Sequence, residues 1–362
     1  MRSALLVSLT ALLVVCCSRG GAGAERPETG GNRGGPGGSG GSNGSTAGAP
    51  PLRIFWVDTE GGAATVMAMP TGEVLVVDAG FSSAHAQRVA DLLKNEIHAQ
   101  RIDAMVVSHY HIDHVGGVPA LGGLIPIGQY FDHGDPIESG AHIDAYLGMF
   151  SGGGATKRTV VTPGMKLTFG SVELTFVTSA GQVVDPPLST AIPNTGCANA
   201  TSKTALAGAE NPMSVGFLAR YGKFDFLDTA DLTWNAEQNL VCPTNRVGLV
   251  DLYQVNHHGM DLSSSPQLVT SIAPLVAVMN NGAAKGGSAA TFDLLKASPG
   301  FQDLWSLHHV TANDAAHNAD DALTANLDGA DEAYGLAAVI QPDGSFTLTN
   351  ARTGMSRTYQ AR

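Results

Sequence analysis

Between Val106 and Val118 the chain reads VVSHYHIDHVGGV, which places His109, His111, Asp113 and His114 within six residues. Neutral imidazoles combined with a carboxylate suit zinc, manganese or iron. The alternate spacing lets His109 and His111 turn toward one ion. The turn that follows can present Asp113 and His114 to a second. Gly116 and Gly117 come directly after the set, where glycine lets a backbone turn tightly. Two ions roughly 3.5–4 Å apart can clamp the attacking and leaving oxygens of a displacement, and they lower the pKa of bound water toward about 7. Three imidazoles and a carboxylate packed this densely after an apolar run read as a metal site rather than as scattered surface polarity.

The elements that would position this set follow one rule. Leu52–Asp58, the run ending at Pro70, and Gly72–Gly80 read as strands. Ser83–Glu96 has helical spacing of Val89, Leu92 and Leu93, with Ser82 or Ser83 as the cap. The strand IDAMVVSH then leads into the histidines. Later come two short strands in Gly164–Ala180, a hairpin turning at Tyr221-Gly222-Lys223, helices in TWNAEQNLVC and SPQLVTSIAP, and a helix begun at Phe292–Lys296. Strands VDLYQVNHHG and LVAVMNN lie among them, and a hairpin about Pro342–Gly344 closes the chain. Gly181–Gly208 reads as one long loop, a length usually tied to function or disorder. This alternation predicts an α/β domain. Its apolar strands end repeatedly in Asp or His (Asp78, His109, Asp231, His257), and strand ends can bring distant side chains together at one edge.

SHYHIDHVGG resembles the H-x-H-x-D-H signature of the metallo-β-lactamase superfamily, and the order of the other motifs agrees. VVDAG resembles the first motif, which implies that Asp78 supports the metal ligands. FLDTAD resembles the motif whose carboxylate bridges two metals, pointing to Asp231. YQVNHHG resembles the last motif, which gives a histidine to the second metal, here His257 or His258. The resemblance implies a four-layer αββα sandwich with its site at one edge, built on residues 51–362. Within the superfamily the ComEC-like branch is the most similar: Asn211, Ser214, Gly222 and Leu227 match its hairpin pattern, and His257-His258-Gly259 match its ending.

One departure affects the metal count. Family members carry a further histidine between the first cluster and the bridging carboxylate, and this chain has none between Asp144 and Asp231. Asn211 or Ser214 could stand near that position, and His133 could swing in from its loop. The expectation is zinc, as two ions or one, with manganese and iron as alternatives. Asp113 would orient the nucleophile. An extended backbone points neighbouring side chains to opposite sides, so one member of the His257–His258 doublet is expected to bind metal. His308, His309 and His317 carry no spacing that ties them to the site and read as ordinary structural histidines. Asp58 and Glu60, in DTEGG, read equally as support of the site or as a solvated turn.

Composition bounds the rest. Residues 1–24 read as a signal peptide or lipoprotein signal: a basic start, then an apolar run at Ala4–Val15 too short to span a bilayer, then Cys16 and Cys17 or the Ala22-Gly23-Ala24 cleavage site. Residues 25–50 belong to a Gly/Ser-rich linker whose composition cannot bury a core. An exported protein is therefore expected, periplasmic, lipid-anchored or secreted. Cys197 and Cys242 are expected to form one disulfide. The net charge is −12. Residues 1–50 hold four Arg and two Glu, so −14 falls on the remainder. That balance argues against holding long nucleic acid, which calls for a basic stripe. A small molecule is the expected partner, and the sequence does not address oligomeric state.

The resulting expectation is an exported metal-dependent hydrolase, with a phosphoester substrate favoured by the ComEC-like motifs. A lactam or lactone hydrolase is the alternative. A binding protein that keeps its metal for structure is a third reading. Some relatives pair a di-iron site with a flavin partner, but no Gly/Ser/Thr phosphate loop follows the core here.

Overall fold

Alternation along the strands sorts the buried apolar residues into three separate clusters, and three clusters require four layers. The first holds Ile54, Met67, Leu75 and Val106 from one sheet against Phe176, Phe217, Phe226, Val276 and Trp305 from another. The second packs Val66, Val76 and Met105, on the opposite face of the first sheet, against Ala86, Val89, Leu121 and Tyr146 of helices. The third packs Leu218, Leu227 and Ala277 of the second sheet against Leu240, Leu268, Ile272 and Phe292. This is the α/β, four-layer αββα sandwich expected from sequence. The computed structural model describes residues 50–151, 157–203, 209–327 and 333–362, and these described residues belong to one compact unit. The expected leader, with Cys16 and Cys17, and the linker up to residue 49 lie outside the described residues. No helix among the described residues is long and apolar enough to cross a membrane.

Among the described residues the two large sheets have nine strands each. The first runs in the order Ser356–Gln360, Ser345–Asn350, Leu336–Ile340, Leu52–Trp56, Thr65–Ala68, Val74–Val77, Ala104–Val106, Gln129–Asp132 and Lys157–Val160. The C-terminal hairpin therefore completes the sheet that the N-terminal strands begin. The second runs Thr324–Asn326, Asp303–His308, Val276–Met279, Leu252–Gln254, Phe224–Asp228, Gly216–Tyr221, Val172–Ser179 and Lys166–Phe169, with Gln182–Val183 paired to Val172–Ser179. Strands Phe224–Asp228, Leu252–Gln254, Val276–Met279 and Asp303–His308 are mutually parallel, as are Val74–Val77 and Ala104–Val106. Parallel neighbours end on the same side, so Asp78 and His109 leave one sheet together, as Asp231 and His257 leave the other.

Several elements differ from the sequence expectation. The helix begun at Ser83 is regular only to Leu92 and continues as a π turn over Leu93–Ile97. Ser82 is its N-cap by position, without a capping hydrogen bond. The stretch after the histidines forms helices Val118–Leu124 and Ala141–Gly148. The long segment from Gly181 is not featureless: Ile192–Pro193 pairs with Thr244–Asn245, and the expected disulfide joins Cys197 to Cys242. Gly116 and Gly117 take helical backbone angles, so a tight turn is not their purpose. A Cβ at Gly117 would lie 2.1 Å from the Ala79 carbonyl oxygen, so close approach of the histidine segment to Ala79 is what requires glycine there.

Asp58 settles its two readings. It is fully buried, and His308 Nε2 lies 2.7 Å from its Oδ1. The pair fastens the end of strand Leu52–Trp56, in one sheet, to strand Asp303–His308 in the other. Burial alone would raise the Asp58 carboxyl. His308, the Glu60 N–H and the Arg88 guanidinium outweigh it and hold the group below its ordinary value. A carboxyl lowered in the folded state adds stability that is complete above its unfolded value and is lost as pH falls through the folded one. Asp58→Asn is therefore expected to cost about 3 kcal/mol near pH 7, as for other broken buried pairs. The gap to wild type should close in thermal melts taken below about pH 4. A gap independent of pH would show that packing alone is responsible.

Candidate metal centre

The candidate centre is assembled from segments that each begin where a strand stops. Asp78 follows Val74–Val77, the histidine set follows Ala104–Val106, Asp231 follows Phe224–Asp228, and the doublet follows Leu252–Gln254. Asp113, His114, Asp231 and His258 are all buried, and one donor atom from each lies within 4.8 Å of every other. His114 Nε2 is 3.2 Å from His258 Nε2 and 3.3 Å from both Asp113 Oδ2 and Asp231 Oδ1. His258 Nε2 is 3.1 Å from Asp113 Oδ2 and 3.5 Å from Asp231 Oδ2.

The hydrogen bonds behind these groups fit a cation. Asp78 Oδ2 sits 2.7 Å from His114 Nδ1, and the Asn280 carbonyl oxygen 3.1 Å from His258 Nδ1. Each acceptor keeps the ring proton on Nδ1 and leaves the Nε2 lone pair facing the cluster, as metal-binding histidines require. Asp78 also accepts from the Ser108 N–H at 2.8 Å and the Ser108 hydroxyl at 2.6 Å. Asp78 thus holds both the Ser108 segment and the His114 ring.

Electrostatics point the same way. Burial favours the neutral form of Asp113 and Asp231, yet the surrounding imidazoles outweigh it and hold both carboxyls well below their ordinary value. Burial likewise depresses His114, but Asp231, Asp113 and Asp78 overcome it and hold this imidazole well above its ordinary value. His258 is raised too, chiefly by Asp231 against its burial. His109 goes the other way: burial, then the neighbouring His114, push it well below. Two carboxylates thus attract positive charge into a closed space, and a divalent cation satisfies that demand.

A second group of donors adjoins the first. His109 Nδ1 lies 3.1 Å from the Ser108 hydroxyl, so its Nε2 is free to face His111 Nδ1, also at 3.1 Å. Asp231 Oδ2 is 3.9 Å from His109 Nε2. Asp231 therefore reaches both groups. His111 is the more open member, with Glu138 3.5 Å from its Nε2.

Two expectations need correction. The doublet is not extended. His257 and His258 both have left-handed backbones, with φ of 53° and 55°. Their rings consequently fall on the same side, and Nε2 of each stands 3.5 Å from Asp231 Oδ2. His257 is further held by Ser263 Oγ at 3.2 Å from Nδ1 and Asn211 Nδ2 at 3.2 Å from Nε2. His133 does not swing in. Glu210 takes its Nε2 at 2.9 Å, and its ring lies 4.3 Å from that of Tyr110. Ser214 is buried, and its carbonyl oxygen accepts from Thr178. His317 pairs with Asp314 away from the centre.

Some contributors have no motif. Glu237 is fully buried and accepts from Asn256 and from the backbone N–H groups of Ser264 and Ser265, which fixes the turn carrying the doublet. Lys285 places its ammonium on Asp113 Oδ2 and 5.2 Å from the Phe81 ring centroid. The tendency of strands to end at the centre would have pointed to the loop after Met279, though not to this lysine.

A four-layer α/β sandwich with a buried His/Asp cluster at converging strand ends is consistent with the metallo-β-lactamase fold, which carries metal-dependent hydrolases. Residues 57–193 match the family model described as the metallo-beta-lactamase superfamily, and this supports that superfamily for the chain. Over 97 residues the chain is 37% identical to an atrochrysone carboxyl ACP thioesterase of Aspergillus fumigatus, a match covering 25% of this chain and 30% of that protein's length. Among solved structures, the metallo-beta-lactamase fold protein YhfI from Bacillus subtilis is similar at 14% identity, with 70% of this chain and 96% of that one covered and a TM-score of 0.45. CmlA, a diiron beta-hydroxylase from Streptomyces venezuelae, is similar at 13% identity, with 64% and 45% covered and a TM-score of 0.36.

Proposed function

We propose that this protein is an exported metal-dependent hydrolase that cleaves a phosphoester in a small molecule, as a member of the ComEC-like branch. The observation that carries the reading is the closed set of Asp113, His114, Asp231 and His258, with all four donor atoms within 4.8 Å. Zinc suits that donor set, and His109, His111 and the far side of Asp231 offer a second position. When bound, the metal supplies an activated water and charge to stabilise the developing oxyanion. The chain's own residues do the rest. Asp78 and the Asn280 carbonyl oxygen fix the ring orientation of His114 and His258. Asp113 stands at the rim of the cluster, with 11% of its side chain exposed, where it can orient a nucleophile.

The Asn211 and Ser214 pattern and the HHG ending support the phosphoester. The acidic balance of the chain supports a small substrate over a long nucleic acid. The disulfide between Cys197 and Cys242 and the leader-like sequence of residues 1–24 support export, as a periplasmic, lipid-anchored or secreted form. The thioesterase named among the relatives motivates a second substrate class, an acyl thioester, beside the lactam and lactone expected from the superfamily.

The test is hydrolysis of bis(p-nitrophenyl) phosphate by the full chain, before and after chelation. Activity should disappear with the metal and return with added zinc. A metal-loaded protein inert toward phosphodiesters, thioesters, lactams and lactones alike would instead be a metal-stabilised binding protein.

A further inference from the structure

From the course of one loop we infer that Lys285 is a substrate-binding residue that takes an anionic oxygen next to the scissile bond. This rests on the hydrolase reading and narrows its substrate class to esters that carry a negative charge.

The loop from Asn280 to Gly287 has little freedom. Its start holds His258 Nδ1 through the Asn280 carbonyl oxygen, and its end donates the Gly287 N–H to the His258 carbonyl oxygen at 2.9 Å. Between them the Gly282 N–H donates to the Lys285 carbonyl oxygen at 2.9 Å and closes a turn. Gly286 has φ +80°, and a Cβ there would stand 2.1 Å from the His258 carbonyl oxygen. The loop is therefore wrapped about a candidate metal ligand, and it carries Lys285. Its ammonium meets Asp113 at the mouth of the cluster, above the face of Phe81. The Lys285 side chain is 34% exposed against 11% for Asp113, so the ammonium marks the border between the centre and solvent.

Charge explains why a cation belongs there. The carboxylates of Asp78, Asp113 and Asp231 gather about the centre, and Lys285 brings an ammonium to its mouth, within a chain whose net charge is −12. An anion approaching an otherwise acidic surface finds its favourable position there. An ammonium is a compact donor of three hydrogen bonds and holds phosphate as a point charge.

The experiment uses the metal-loaded full chain as wild type, Lys285→Met and Lys285→Arg. Three quantities are measured: metal content, affinity for inorganic phosphate by calorimetry, and kcat and KM on bis(p-nitrophenyl) phosphate and on uncharged p-nitrophenyl acetate. The expected result is wild-type metal content in Lys285→Met with phosphate affinity reduced about tenfold, in line with loss of a charge-assisted hydrogen bond. The preference for the anionic over the uncharged ester should fall about tenfold, mainly through KM, and Lys285→Arg should recover part of it. Unchanged phosphate affinity overturns the inference. So does loss of metal in Lys285→Met, which would make the lysine a support of Asp113. If wild type cleaves neither ester, the hydrolase reading fails while phosphate affinity still decides the role of Lys285. Competition by acetate as strong as by phosphate would assign the position to carboxylates rather than phosphates.

Discussion

Asp231→Ala should strip the protein of metal and reduce hydrolysis by about 1,000-fold or more. Asp231 reaches both groups of imidazoles: Oδ1 lies 3.3 Å from His114, while Oδ2 lies 3.5 Å from His257 and His258 and 3.9 Å from His109. Removing an outer partner of a metal ligand already costs about 10–100-fold in affinity or activity. A ligand that also links two positions should cost more. Its charge matters as much as its shape, since Asp231 is foremost among the groups that raise His114 and His258 against the effect of burial. Asp231→Asn retains the shape without the charge and should fail almost as completely. Elemental analysis of the three proteins, with hydrolysis measured in parallel, decides the matter. Wild-type metal content in either variant would remove Asp231 from the centre.

The sequence showed the candidate site more clearly than the surroundings that shape it. Asp78, His109 and Asp231 were legible because buried strands read as apolar runs and their ends are marked by a polar residue. The four layers were legible for the same reason, since alternation assigns each strand two buried faces. What escaped is set by contacts between residues far apart in the chain. Sequence leaves His133 free to swing from its loop, yet Glu210, 77 residues later, claims its ring. The partner of Asp58 is 250 residues away, in another sheet. Lys285 is one charge in a glycine-rich loop, and only the path of that loop around His258 gives it a role. The strand pattern predicts an extended backbone through the doublet, whereas two left-handed residues bend it there.

That bend gives His257 and His258 different expected effects from similar positions. Both rings reach Asp231, but only His258 belongs to the closed set with Asp113 and His114. Its Nδ1 faces the Asn280 carbonyl oxygen, so its Nε2 lone pair is available to a cation. His257 Nε2 is already approached by Asn211 at 3.2 Å, and burial pushes its imidazole below the ordinary value. His258→Ala should therefore weaken metal binding by at least about 100-fold, the upper figure for an outer-shell loss. His257→Ala should weaken it by about tenfold, the lower figure of that range. The comparison carries its own control. Alanine is strained to a similar degree at φ 53° and φ 55°, so a difference in metal affinity between the variants reports the lost ring and not the backbone. Titration of each metal-free variant with zinc, against a competing chelator, provides the measurement. Equal losses would mean that His257 is itself a ligand, and that the doublet supplies the imidazole missing between Asp144 and Asp231. A larger loss in His257→Ala would reverse the assignment.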